Sequence, residues 1–329
     1  MALPENKVVR LDELPLEKQV DALKKQMVAV LGDGQVFVKR TPTGAIKAVK
    51  SVVTLSEANG EIAVIQGKAM TTGKGFYRAN QIANLSIITP EKLTLPTGQV
   101  VVNPFPVVDP ESQTLRKVWV KKMAIGCGPT GNLVITTATL LYDINMYFIQ
   151  DLMKKVTKNS GAGRICLETM LTEEEKKTGI FYKIDGNMGV WANTSHAEIL
   201  KAIDTFINKK NFAERNAQTI AERLAMAKHP ALSHIAYVNF QGPDYKRVAK
   251  EVIIGYVNDD NPNTLMDLAA KAERGEEITV NGQRVDIINV TAEASVDDIA
   301  VEADDEEKAA TAHPEEGASQ QPVLGGDLF

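Results

Sequence analysis

Hydrophobic positions recur along the chain first at a helical period and then at a strand period. Residues 16–31, LEKQVDALKKQMVAVL, put Val20, Leu23, Met27, Val30 and Leu31 on one face of a helix, which Gly32 and Gly34 stop. Then QVFVKR (35–40), AIKAVKSVVTL (45–55) and EIAVIQGKAM (61–70) are rich in Val and Ile. The turn signals Pro42-Thr-Gly44 and Ala58-Asn-Gly60 divide them. Further strands are expected at 83–88, 92–95, 99–102, 115–125 and 132–142, with Gly98, Pro104, Pro106 and Pro110 in the loops. A parallel sheet needs a crossover, usually a helix, between most strands. There is no room for such helices here, so this region reads as an antiparallel sheet, curved or barrel-like.

The pattern changes at Asp143. In DINMYFIQDLMKKV (143–156), Ile144, Tyr147, Phe148, Leu152 and Val156 stand at helical spacing behind Asp143, a good N-cap. GAGR (161–164) is a loop, and short strands near 164–169, 180–184 and 188–192 surround a charged helix, TEEEKKTG (172–179). Helices follow at 195–208 and 211–228. The second, ended by Pro230, is expected to bury Phe212, Ile220 and Leu224, with Ala217 and Ala221 as further candidates, and to leave Arg215, Glu222, Arg223 and Lys228 mostly outside. IAYVNF (235–240) and VIIGYV (252–257) read as strands. A helix starts at Asn261 or Asn263 and runs through Ala272, and EITVNGQRVDIINV (277–290) reads as a hairpin around Asn281-Gly282. The fold class is therefore α+β. Residues 1–142 form an antiparallel, β-rich half with an N-terminal helix, 143–292 a mixed α/β, helical half of the same or a second domain, and 293–329 a tail.

Charge changes this picture. The 329 residues carry a net −5, but from Glu293 to Phe329 there are eleven acidic residues and one basic residue, Lys308. The rest carries 36 basic and 31 acidic residues. An acidic tail on a mildly basic body suggests that the body meets polyanions. The tail has too little apolar surface to offset the entropy of ordering and is expected to be disordered. It finishes in Gly325-Gly326-Asp327-Leu328-Phe329. In this acidic stretch with an apolar residue and Phe at its tip, the chain resembles bacterial and phage single-stranded-DNA-binding proteins. The resemblance implies that Asp327, Leu328 and Phe329 recruit replication or recombination proteins, and that the tail competes with DNA for the body. The end is also similar to the Gln…Leu-Phe peptide that docks on bacterial sliding clamps, with Gln320 or Gln321 upstream. The likeness covers only the last few residues. The plain alternative is a solubility tail with an incidental apolar end.

At 44% hydrophobic the chain can bury a core. No apolar run reaches the length of a membrane span, and the N-terminus lacks the apolar core of a signal peptide. Cys127 and Cys166 are far apart and without metal spacing. The expected compartment is the cytoplasm of a bacterial cell or phage-infected host, where a structural disulfide has no place. Gly126-Cys-Gly128-Pro-Thr-Gly131 matches a dinucleotide fingerprint letter for letter. The β-branched LVITTATLLY after it denies the motif its helix, and a turn between strands remains. His196, His229, His234 and His313 are scattered, and Glu175-Lys-Lys177 lies in a charged run. No catalytic residue, metal or cofactor is expected, and the reading is non-enzymatic.

The candidate contacts are cations interleaved with aromatics. In LRKVWVKKM (115–123), strand alternation puts Lys117, Trp119 and Lys121 on one face, and Arg116 and Lys122 on the other. Trp119 either stacks a base between two lysines or packs in the core. Gly73-Lys74-Gly75-Phe76-Tyr77-Arg78 reads as a mobile clamping loop or a turn with an apolar anchor. Lys154, Lys155, Lys158 and Arg164 extend a basic patch, although cations also suit a helix C-terminus. The expected function is binding or annealing of single-stranded DNA in phage or mobile-element replication and recombination, with a homo-oligomeric body and no membrane. A sliding-clamp or replication-protein adaptor without DNA affinity, and a self-assembling viral structural or accessory protein, are the alternatives.

Overall fold

The computed structural model describes residues 35–41, 44–241, 247–256, 262–280 and 282–295, with side chains from Ala48 onward. The helix expected at 16–31, and everything beyond Ser295 including Asp327, Leu328 and Phe329, lie outside the described residues.

Strands β1 (Gln35–Thr41) and β2 (Gly44–Ser56) form an antiparallel hairpin with Thr41 opposite Gly44. The run 61–70, expected as one strand, folds back on itself as β3 (Ile62–Ile65) and β4 (Lys68–Thr71). Gln66 and Gly67 turn it with φ of 50° and 78°, the two left-handed positions that a tight hairpin requires. The expected mobile loop 73–78 is instead the start of helix α1 (Gly73–Ala83). Thr72 caps it, its Oγ1 accepting from the Gly75 N–H at 3.2 Å. Gly75 serves close approach rather than motion, since a Cβ there would lie 2.3 Å from the Glu61 carbonyl oxygen.

Short strands β5 (Ser86–Ile88), β6 (Lys92–Thr94), β7 (Val100–Val102) and β8 (Phe105–Val108) lead to the long β9 (Leu115–Cys127) and β10 (Leu133–Asp143). β8 runs through Pro106, where the sequence shows only loop. As an edge strand it does not need that proline's missing donor. Asp143 ends β10 and caps α2 (Ile144–Lys158), accepting from the N–H groups of Asn145 and Met146. Then come β11 (Gly163–Leu167), α3 (Glu173–Thr178), β12 (Gly179–Asp185), β13 (Met188–Asn193), α4 (Ala197–Asn211), α5 (Ala213–Lys228), β14 (Val248–Tyr256) and α6 (Pro262–Glu273). Two-residue strands β15 (Thr279–Val280) and β16 (Gln283–Arg284) precede β17 (Asp286–Glu293).

The elements make a mixed α/β fold with a β-rich N-terminal region. Its sheets are open, with orders β1-β2-β14, β17-β10-β9-β5 with β8 also on β9, and β11-β13-β12, and none closes into a barrel among the described residues. The hairpin expected at 277–290 shrinks to β15 and β16. Its second arm continues as β17 and pairs parallel with β10, Ile287 beside Ile135, so the central sheet is not purely antiparallel. The segment 235–240 is not a strand; it makes one isolated bridge, Tyr237 to Met70.

Both faces of the central sheet are used. Val118, Val120, Ala124, Ala138, Leu140 and Tyr142 point to one side, where α5 lays a stripe of Ala213, Ala217, Ala221 and Ala225 against them. Small residues at four-residue spacing let helix and sheet approach closely. This stripe displaces Phe212, 43% exposed, from its expected core position, and it draws Arg223 inside. On the opposite side α6 covers Met123, Ile125 and Ile135 with Leu268, Ala269 and Ala272. Lys117, Trp119 and Lys121 on the same side are only half-buried.

Candidate nucleic-acid interface

Strand alternation puts Lys117, Trp119 and Lys121 on the α6 side of the sheet, all three half-buried. Trp119 stands opposite Phe105 on β8 and Leu141 on β10. Asn103 locks this register: its amide donates to the Lys121 carbonyl at 2.8 Å and accepts from the Lys121 N–H at 2.9 Å. The two lysines are not bare charges. Lys117 Nζ lies 2.7 Å from Asp143, its cross-strand neighbour, and Lys121 Nζ 3.3 Å from Glu273 at the end of α6. Each ammonium is therefore screened locally by a carboxylate.

Lys122 points the other way and is lost to the interface. It is 3% exposed beneath α5, bonded to Glu222 at 2.5 Å, Thr89 Oγ1 at 2.8 Å and Gln218 at 3.2 Å. The alternation that exposes Trp119 necessarily buries Lys122, and α5 supplies the carboxylate that makes this tolerable. Phe76 is likewise withdrawn, 1% exposed in the core between α1 and the sheets. Its neighbours Lys74, Tyr77 and Arg78 form a solvent face of α1, with Arg78 paired to Glu61. That face lies on the α5 side of the sheet, so it does not join the Trp119 strip.

The remaining cations gather around α2. Lys154 and Lys158 are exposed, with no ion-pair partner within 4 Å among the described residues, and Arg116 is exposed at the start of β9. Lys155 pairs with Glu198 at 2.7 Å, and Arg164 makes a two-bond clip to Glu175 at 2.9 and 3.0 Å. The Arg164 guanidinium, with the Thr172 N–H, holds the Glu175 carboxyl down at about 2. Glu175 also closes the capping box of α3 with Thr172, so it is a structural carboxylate.

Two cations that the sequence reading passes over belong here. Lys209 Nζ sits 6.0 Å from the Tyr147 ring centroid. Burial pushes its ammonium below the usual lysine range, Asp151 opposes that push and Lys154 adds to it. Lys210 lies 4.6 Å over the Phe206 ring and donates to Thr114 Oγ1 at 2.7 Å. The available signal was the Lys-Lys pair at a helix end, which reads equally well as macrodipole compensation.

The end of β17 lies beside this group. Glu293 ends β17, Ala294 is 3% exposed, and its N–H donates to the Leu141 carbonyl at 3.0 Å while its carbonyl accepts from the Tyr147 hydroxyl. β17 and its bonding thus run past residue 292 to Ala294. Leu141 is the cross-strand neighbour of Trp119, and Tyr147, over which Lys209 lies, packs with Ala294 on the α5 side of the sheet.

Among the described residues no group of three or more His, Cys, Asp or Glu is placed to hold a metal ion, and Cys127 and Cys166 form no disulfide there. No helix there is long and apolar enough to cross a membrane. Comparison of the chain with models of protein families, with curated proteins and with solved structures finds no match.

Proposed function

We propose that this chain binds single-stranded DNA without catalysing a reaction on it, and that its acidic segment occupies the same surface when DNA is absent. The observation that carries the reading is the exit of that segment at Ala294, between the neighbour of Trp119 and the ring that supports Lys209. Lysines at such a surface gain affinity by releasing counterions from phosphates, and an exposed aromatic edge or face stacks bases of any sequence. An acidic string tethered at the rim has a high effective concentration there, so it competes strongly without tight intrinsic affinity. Its far end, Asp327 to Phe329, then offers an apolar tip to a replication or recombination protein.

The test is fluorescence anisotropy with single- and double-stranded oligonucleotides at two salt concentrations, using the full chain and a chain ending at Ser295. The single strand should bind better, and truncation should tighten it. Equal affinity of the two chains overturns the competition. Absence of binding by both overturns the reading, and tail-dependent capture of a sliding clamp in that case identifies an adaptor.

A further inference from the structure

The segment 233–241 lies between β4 and the edge of β14 in an irregular conformation pinned on both sides. The Thr71 N–H donates to the Ala236 carbonyl at 3.2 Å and the Val238 N–H to the Ala69 carbonyl at 3.0 Å. On the other side Gln241 pairs with Val248, and its amide donates to the Lys250 carbonyl at 3.3 Å. With the backbone pinned this way, Ile235 and Val238 fill the core at 0% and 6% exposure. Tyr237 and Phe240 are turned out, 62% and 38% exposed. They border a groove of about 510 Å³ whose other walls include Gly67, Lys68 and Asn239. That volume falls in the usual range for small-ligand sites, roughly 300–1,000 Å³.

Tyr237 is the most exposed aromatic ring among the described residues, and Phe240 lines the same groove. Here they flank a cleft with an exposed lysine on its wall and a glycine, Gly67, beside which there is open space. Flat apolar faces, one cation and an exposed amide are the groups that meet a base, a phosphate and a base edge. A protein partner would call for an apolar patch with a paired polar rim, whereas these groups are few and separately placed.

We infer that Tyr237, Phe240 and Lys68 form a second contact for single-stranded DNA, in which the rings stack bases and Lys68 meets a phosphate. This rests on the reading that the body binds single strands. The site is on the α5 side of the central sheet, since Val238 and Ile235 share a core with Ala124 and Ala138, and it is therefore apart from Trp119. Two strand contacts on opposite sides of one body would let it hold two segments at once.

The experiment uses the full chain and an oligothymidine with iodouracil substitutions, irradiated and mapped by mass spectrometry, beside affinity measurements on variants. Adducts are expected at Tyr237 or Phe240. Tyr237→Ala and Phe240→Ala should each weaken binding roughly 5- to 150-fold, and Tyr237→Phe should keep it. Lys68→Ala should lower the salt slope by about 0.7. Adducts confined to Trp119, with unchanged affinity in the alanine variants, overturn this site and leave the Trp119 reading standing. No adducts and no binding overturn both. Altered sedimentation of Tyr237→Ala with unchanged DNA affinity would mark a protein contact and also overturn it.

Discussion

Lys122 and Glu222 meet at 2.5 Å between the central sheet and α5, with side chains only 4% and 20% exposed. Burial pushes the ammonium down and the carboxyl up, so each alone would tend toward its neutral form. The short contact, with Thr89 and Gln218 satisfying further protons, keeps them as an ion pair. Lys122→Ala should therefore destabilise the fold by about 3 kcal/mol, because it leaves Glu222 uncompensated. The double variant Lys122→Met, Glu222→Leu should recover most of that loss. Urea unfolding of the variants checks this. An unaffected stability in Lys122→Ala together with lost DNA binding would return Lys122 to the interface.

Trp119 is the residue on which the proposed grip by the sheet depends. Trp119→Ala should reduce affinity for a single-stranded oligonucleotide by about 1–3 kcal/mol. Lys117→Ala and Lys121→Ala should each have a smaller effect, because Asp143 and Glu273 already neutralise part of their charge. Their signature is in the salt dependence, with a slope lowered by less than the full 0.7 or so of an unpaired lysine. Equal slopes in all three variants and the parent would mean that no phosphate lies beside them. Lys154→Ala, whose ammonium is exposed and has no ion-pair partner among the described residues, should show the larger change.

The elements that were legible in the sequence are those whose pattern and boundaries agree. The helix behind Asp143 was readable because cap, spacing and following loop all point the same way, and the turn at Gly126–Gly131 because β-branched residues follow it. Residues 73–78 were not, because two glycines suggest mobility and only the Glu61 carbonyl packed against Gly75 explains them. β17 was misread for a different reason. Asn281-Gly282 favours a hairpin locally, but β10 offers a longer apolar edge, and tertiary pairing wins. At the candidate site, alternation along β9 found the face of Trp119 correctly. It could not find Glu222, Glu273 or Lys209, which come from helices far away in sequence.

His229 gives the fold a sensitivity to mild acid. Its ring is fully buried, with Nε2 3.3 Å from the Val134 carbonyl and Nδ1 accepting from the Ala231 N–H at 3.2 Å. Burial pushes it down to about 4, against a hydrogen bond to Val134 that favours the charged form. A folded value below the unfolded one means that the unfolded chain takes up the proton first. Stability is full above about pH 6.5 and is lost as pH falls toward 4, by roughly 3 kcal/mol from this group. Denaturant unfolding at pH 7 and pH 4.5 should show the loss. His229→Gln, which can keep a bond to Val134, should be less stable at pH 7 but lose less on acidification. Parallel pH profiles for the two proteins would remove His229 as the cause.

Lys209 ties the exit of the acidic segment to the proposed grip, and that tie is measurable. The ammonium lies over the Tyr147 ring, and the Tyr147 hydroxyl holds the Ala294 carbonyl from which the acidic segment departs. If the segment folds back onto these cations, Lys209 faces it in the free protein and faces phosphate in the complex. Lys209→Ala should then weaken DNA binding of the chain ending at Ser295 more than that of the full chain, because in the full chain it also weakens the competitor. The gain in affinity on truncation should shrink accordingly. A cycle of four proteins, with and without the segment and with and without Lys209, isolates the coupling, which should be about 0.5 kcal/mol or more. Additive effects within error would mean that the acidic segment acts elsewhere. Because neither Lys209→Ala nor truncation after Ser295 removes a buried core side chain, a null result could not be assigned to unfolding, and thermal unfolding of each protein checks that premise directly.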